Sequence, residues 1–221
     1  MRALFTVAGF SFVAGFVDTV GFIALFGLFT AHVTGNFVLI GASIAGDGAG
    51  ALAKLLALPV FILAVVAVTL AVRRGEARGR ANRAGLTVAQ IVFLAAFMAA
   101  GGLLGPFTNP DAWAAIGVGF LGVAAMAVQN AASRLLDSGP PTTIMTGNTT
   151  QAVIDAVDML RGGSKDGTAA RLRGLLGATV AFAGGAILGA LGYLAAGYWC
   201  LGLPIILLIT FAFAHRERKA S

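Results

Sequence analysis

Few side chains in this chain could do chemistry, and most of them gather around three short stretches. Asp18 is the single charge in an apolar run covering 3–29. A charge deep in hydrocarbon costs at least about 2.5 kcal/mol on insertion scales, so this carboxyl must be neutral, paired or wet. Two readings compete for it. One is a carboxyl that carries protons and couples them to transport; the other is a helix-linking hydrogen bond, to Asn130 or to backbone.

The other two stretches are Thr34-Gly35-Asn36 and Thr146-Gly147-Asn148. Glycine permits a break or a tight turn, and the threonine hydroxyls and asparagine amides can replace the backbone partners that a break removes. A half-helix beginning at such a motif would aim free N–H groups and its positive dipole end into the protein, which suits an anion, a carboxylate or a polar solute. Thr149, Thr150 and Gln151 enrich the second copy. The candidate solute ligands are therefore Thr34, Gly35, Asn36, Thr146, Gly147, Asn148, Thr149 and Gln151, with Asp18 the candidate for proton coupling. Asn130, Gln129 and His32 are the supporting residues. Against this stands a packing role, in which glycine lets helices approach and Thr and Asn bond across the contact. His32 could relay protons or simply anchor the chain at the membrane interface. Asp155 and Asp158 are expected to face water or pair with Arg161, and Gln90 to bond across helices.

Enzyme chemistry finds little here. No second titratable residue is expected deep beside Asp18, and two histidines, His32 and His215, are too few for a metal cage. Cys200 is the sole cysteine and lies in an apolar run, so no intrachain disulfide is available. The chain is read as no enzyme, with no cofactor and no metal.

The elements that must hold these residues follow from composition. Of 221 residues, 58% are hydrophobic and 11% charged, too little charge to cover a water-soluble domain. The formal charge of +6 comes from basic residues lying between apolar runs, where they orient a membrane protein; no aromatic-basic surface points to nucleic acid. The opening run is too long for a signal peptide and is interrupted by Asp18, so it is read as a mature helix. About 20 apolar residues cross a bilayer. Six runs qualify, with spans about 3–27, 52–73, 84–106, 112–135, 172–195 and 198–214, the last two separated by a turn near 197–202. Segments 31–46 and 142–160 are too short or too polar to qualify.

Basic residues decide how those two lie. Arg73, Arg74, Arg78, Arg80 and Arg83 fill one loop, Arg161, Lys165, Arg171 and Arg173 another, and Arg216, Arg218 and Lys219 the tail; loop 106–111 has none. If both polar segments crossed, the most basic regions would fall on opposite sides. If neither crosses, both Arg-rich loops and both termini lie in the cytoplasm and 106–111 outside. Both segments are thus expected to be half-helices or re-entrant hairpins.

An offset of 112 residues aligns them without a gap. Gly27 meets Gly139, Thr30 meets Thr142, the two Thr-Gly-Asn motifs coincide, and Asp18 falls opposite Asn130. Each copy holds three spans, an odd number, so the second should be inverted. The expected fold is all-α: a polytopic membrane protein of six transmembrane helices as a 3+3 inverted repeat, 1–108 and 109–221, plus two half-helices. Glycines at 101, 102, 105, 184, 185 and 189 read as close packing, within one chain or between two copies in a homodimer. Trp113, Tyr193, Tyr198 and Trp199 read as an aromatic belt.

The stretch Gly15-Phe16-Val17-Asp18-Thr19-Val20-Gly21-Phe22, then His32-Val33-Thr34-Gly35-Asn36 and Met145-Thr146-Gly147-Asn148-Thr149-Thr150-Gln151, resembles the YoaK family, bacterial membrane proteins catalogued as domain of unknown function 1275. The resemblance spans nearly the whole chain. It implies a six-span inner-membrane protein and supplies no substrate. The combined expectation is a secondary transporter or facilitator of a small polar or anionic solute, bound at the midplane between opposed Thr-Gly-Asn termini. The alternatives are a non-transporting assembly subunit, a channel, or a membrane enzyme.

Overall fold

A computed structural model describes residues 2–46, 49–79, 83–137, 139–163 and 165–217, with side chains described from 5 to 213. His215 and the basic residues Arg80, Arg216, Arg218 and Lys219 lie outside the described side chains. Among the described residues the fold is helical without strands. The helices are α1 (Arg2–Ala24), α2 (Gly35–Ile44), α3 (Ala51–Glu76), α4 (Arg83–Leu104), α5 (Trp113–Leu136), α6 (Met145–Leu160), α7 (Thr168–Ala196) and α8 (Gly202–Glu217).

Five apolar stretches are long enough to cross a membrane: Phe5–Ala24, Ala51–Glu76, Arg83–Leu104, Trp113–Leu136 and Thr168–Phe213. The last contains both α7 and α8. Gly197 takes a positive φ of 55°, which costs glycine nothing, and a 3-10 turn over Gly197–Leu201 separates the two. Pro204 stands in the first turn of α8, where its missing N–H has no intrahelical partner to lose. The chain thus holds five to six helices of membrane-crossing character. By length and composition it is a multi-pass membrane protein.

Two helices form the centre. The apolar window of α5 is 72% buried and that of α1 61%, against 17–28% for the other three stretches. The outer helices present Leu63, Val66, Leu103, Val180, Ile187 and Leu194 outward, as helices solvated by lipid do. Helix α1 runs beside α7 in the same direction, with Phe12 opposite Gly185 and Phe16 opposite Gly189. A methyl on Gly185 would overlap the Phe12 carbonyl oxygen, and one on Gly189 would lie 2.7 Å from that of Phe16. Backbones meet here without side chains between them, which maximises dispersion contact in lipid. The expected close packing of Gly185 and Gly189 is thus made within one chain, whereas Gly184 meets nothing within 4 Å.

Gly101 and Gly102 likewise receive Tyr198 and Trp199 on α4. Tyr198 is 4% exposed and packs edge-on against Phe97 and Tyr193. It belongs to the core rather than to an aromatic belt, because the 3-10 turn folds its ring inward onto α4. Trp113 and Trp199 are exposed.

The ends of the bundle are tied differently. At one end Arg83, beginning α4, pairs with Asp137 at 2.9 Å and covers the Phe10 ring at 4.8 Å. This is the arginine-rich end. At the other, Lys54 on α3 is buried and donates its Nζ to the carbonyls of Phe26, at 2.8 Å, and Ala49. Those carbonyls belong to loops that follow α1 and precede α3, and the lysine closes both.

Candidate functional site

Helix α1 stops at Ala24 because Phe26 and Gly27 both adopt positive φ, 55° and 83°. The Gly27 N–H reaches back to the Phe22 carbonyl, a terminating i→i−5 bond. From there 28–34 turns back along α1, and α2 then begins at Gly35. The returning segment is buried at Leu28, Thr30, Ala31 and Val33, so the protein must supply the partners of its irregular backbone.

Asp18 supplies most of them. Its Oδ1 accepts from the Thr30 and Ala31 N–H groups, both at 2.7 Å, with the Thr30 hydroxyl at 3.3 Å and the His32 N–H at 3.4 Å. Its Oδ2 meets His32 Nδ1 at 3.0 Å. Asp18 is 4% exposed. Every partner faces it as a donor, or can, so a single carboxyl holds three residues of irregular backbone. Asn36 completes the hairpin. Its Oδ1 accepts from Phe29 N–H and its Nδ2 donates to Phe29 C=O, each at 2.9 Å, so the amide imitates a paired peptide.

The second hairpin is built on the same plan with different atoms. After α5 ends at Leu136, 139–144 turns back and α6 begins at Met145. Asn130 Nδ2 donates to Thr143 Oγ1 at 2.8 Å, and Gln129 Nε2 donates to Thr142 Oγ1 at 3.1 Å and to Phe10 C=O at 2.8 Å. Gln90 Nε2 in turn donates to Gln129 Oε1 at 2.7 Å, the expected interhelical bond. Asn148 Nδ2 donates to Pro141 C=O at 2.8 Å. Pro141 has no N–H, so the second bond made by Asn36 has no counterpart.

Several expectations need correcting. Of the two partners weighed for Asp18 the structure gives backbone and not Asn130, with His32 added, because Asp18 and Asn130 each hold their own hairpin. A second titratable residue does stand beside Asp18, and it is His32, folded inward by the hairpin. Asp155 neither faces water nor pairs with Arg161. It is fully buried and takes a bidentate bond from Arg171 at 2.7 and 2.8 Å, with Gln151 Nε2 at 2.7 Å. That pair docks α6 on the start of α7. Asp158 is exposed.

The Thr-Gly-Asn motifs are also occupied differently from expectation. The first N–H groups of α2 are not free: those of Gly35, Asn36 and Phe37 bond the carbonyls three residues back. Asn36 and Asn148 are buried with their amides spent inside their own hairpins. Thr34, Thr146, Gly147 and Thr149 are exposed, and Gln151 is half-buried. Among the described residues no hydrogen bond joins one hairpin to the other. Asp18, which holds the first hairpin, and Phe10, which the second reaches only through Gln129 of α5, are eight residues apart on α1, roughly 12 Å along the axis. Val13, Ala14 and Val17 between them are fully buried.

A cleft of about 450 Å³ opens at the first hairpin, lined by Asp18, Thr19, Phe22, Phe29, His32, Gly35 and Phe182. The His32 ring stands edge-on to Phe182 at 5.5 Å and to Phe29 at 6.2 Å. Its Nδ1 belongs to Asp18, and among the described residues its Nε2 has no hydrogen-bond partner. Phe29, Phe182 and Thr30 were not singled out from the sequence. Thr30 left a signal, its identity with Thr142 across the repeat; the two phenylalanines left none, being two of 16.

Fold and site together define a multi-pass helical membrane protein with two polar hairpins folded back beside its central helices. A family model described as "Protein of unknown function (DUF1275)" matches residues 6–214, and the chain belongs to that family. No curated protein and no solved structure matches it.

Proposed function

We propose that this chain is a secondary transporter or facilitator of a small polar or anionic solute, built from two inverted three-span repeats. The observation that carries the reading is the Asp18–His32 pair at the tip of a hairpin, lining a cleft of about 450 Å³. Ionisable pairs inside membrane proteins are costly and mark substrate or proton pathways by default. In this reading the solute enters the first-hairpin cleft instead of lying midway between the two motifs. His32 meets it with Nε2, and Asp18 balances the charge when the ring is protonated. Proton and anion would then bind together and leave together. The phenylalanine walls flank the pair and give the solute's apolar part a surface.

The repeat is supported by contacts that match under the 112-residue offset. Helix α1 packs on α7 as α5 packs on α3, α2 on α3 as α6 on α7, and α1 on α8 as α5 on α4. The Asn36–Phe29 and Asn148–Pro141 bonds both span seven residues. Six crossings with two opposed re-entrant hairpins would place both termini and both arginine-rich loops in the cytoplasm of a bacterial inner membrane.

The test is uptake into proteoliposomes under an imposed pH gradient, with solutes chosen by a thermal-shift screen of small carboxylates, inorganic anions and nucleobases. Wild type should accumulate a hit solute with the gradient. His32→Gln, which keeps a hydrogen-bonding side chain, should bind the solute but lose gradient-driven accumulation. Equal gradient-driven uptake by both proteins would overturn the coupling role. A second reading, a non-transporting assembly subunit, is favoured by Asn36 and Asn148, both buried with their amides bonded to their own hairpins. A stable co-purifying partner and no uptake of any hit would support it.

A further inference from the structure

The arginine-rich end carries a second cavity, unrelated to the hairpins. It measures about 530 Å³ and is lined by Ala71, Val72, Arg74, Gly75 and Arg78 from α3 and its end, and by Gly85 and Leu86 from α4. We propose that this cavity binds the phosphodiester headgroup of one anionic phospholipid.

Charge comes first. Of the four arginines described near it, Arg73 is paired with Glu76 and Arg83 with Asp137. Arg74 and Arg78 have no ion-pair partner among the described residues. Arg74 stands in the last turn of α3 and Arg78 in the turn that follows it; both line the cavity, so both guanidinium groups can reach a single phosphate, and a planar fork suits its oxygens. Gly85 and Leu86 belong to the first turn of α4, the positive end of its dipole. Two cations and a helix end thus converge on one cavity with no carboxylate in its lining.

Apolar surface then selects a lipid over a free anion. Counting back along α3 from Arg74 in steps of four gives Leu70 and Val66, both exposed. The same helix face passes from basic to apolar in the direction of the bilayer centre. A phosphate held by the arginines would leave its acyl chains lying along Leu70 and Val66. Inorganic phosphate would gain nothing from that stripe. Basic pockets between helices at a membrane face commonly take anionic headgroups.

The experiment is native mass spectrometry of the full chain, delipidated in a neutral detergent and titrated with palmitoyl-oleoyl phosphatidylglycerol, with the phosphatidylcholine of the same chains, or with inorganic phosphate. One phosphatidylglycerol should bind well ahead of phosphatidylcholine, and millimolar phosphate should not displace it. The R74Q/R78Q pair should weaken it about thirtyfold, two surface charges contributing about fivefold each. R74K/R78K should recover most of the affinity, which separates lost charge from a misfolded loop. Arg161→Gln, at the same end but outside the cavity, should change it less than about twofold. Unchanged binding in R74Q/R78Q, equal loss in Arg161→Gln, equal binding of both lipids, or displacement by phosphate would each overturn the proposal.

Discussion

Removing the Asp18 carboxyl offers the sharpest test of how the first hairpin is held. In Asp18→Ala, the Thr30 and Ala31 N–H groups lose their acceptor at 2.7 Å. Thr30 is fully buried and Ala31 6% exposed, so no other protein group stands ready to replace it. Each orphaned buried donor costs about 1–3 kcal/mol, giving about 2–6 kcal/mol for the two. Asp18→Asn should behave differently. Its Oδ1 can still accept both N–H groups, and its Nδ2 can donate to a neutral His32 Nδ1. Only the charge assistance is lost, about 1–2 kcal/mol. Asn130 sets the precedent, since a neutral amide at that place holds the second hairpin through Thr143. The assay is hydrogen–deuterium exchange in detergent, read on a peptide covering 28–35, beside a thermal melt. Exchange there should rise by orders of magnitude in Asp18→Ala and little in Asp18→Asn. Slow exchange at Thr30 and Ala31 in Asp18→Ala would refute the reasoning, as would equal loss in both variants.

Three further outcomes are expected. Asn36→Ala removes two backbone bonds and Asn148→Ala one, so the first should lower the melting midpoint more, by a difference of about 0.5–1.5 kcal/mol; equal loss would mean the missing Pro141 N–H is immaterial. Gly185→Ala drives a methyl into the Phe12 carbonyl and should cost about 1–3 kcal/mol, whereas Gly184→Ala meets open space and should be neutral or stabilising by up to about 1 kcal/mol, both read by thermal unfolding. In a Cys200→Ala background, Asp111→Cys and Lys165→Cys should label with an impermeant maleimide from opposite membrane faces; labelling from one face would break the inverted arrangement.

The sequence by itself determined the parts that hydrocarbon enforces locally. Apolar runs of bilayer length had to become helices, since lipid offers the backbone no other partner. The polar segments at 31–46 and 142–160 were expected to stop short of a full crossing, and the structure makes helices of ten and 16 residues there, α2 and α6, shorter than the about 20 residues a bilayer needs. Gln90, a lone amide in an apolar run, had to find a partner on another helix, and did. Only the tertiary structure decided what Asp18 touches. Three of its partners are backbone N–H groups, which are alike in every residue but proline and leave no mark in a sequence. His32 reaches it only because Phe26 and Gly27 reverse the chain, and Arg171 reaches Asp155 only because α6 folds onto α7. Spacing along the chain shows which groups need partners; which partners they find depends on where irregular backbone brings them.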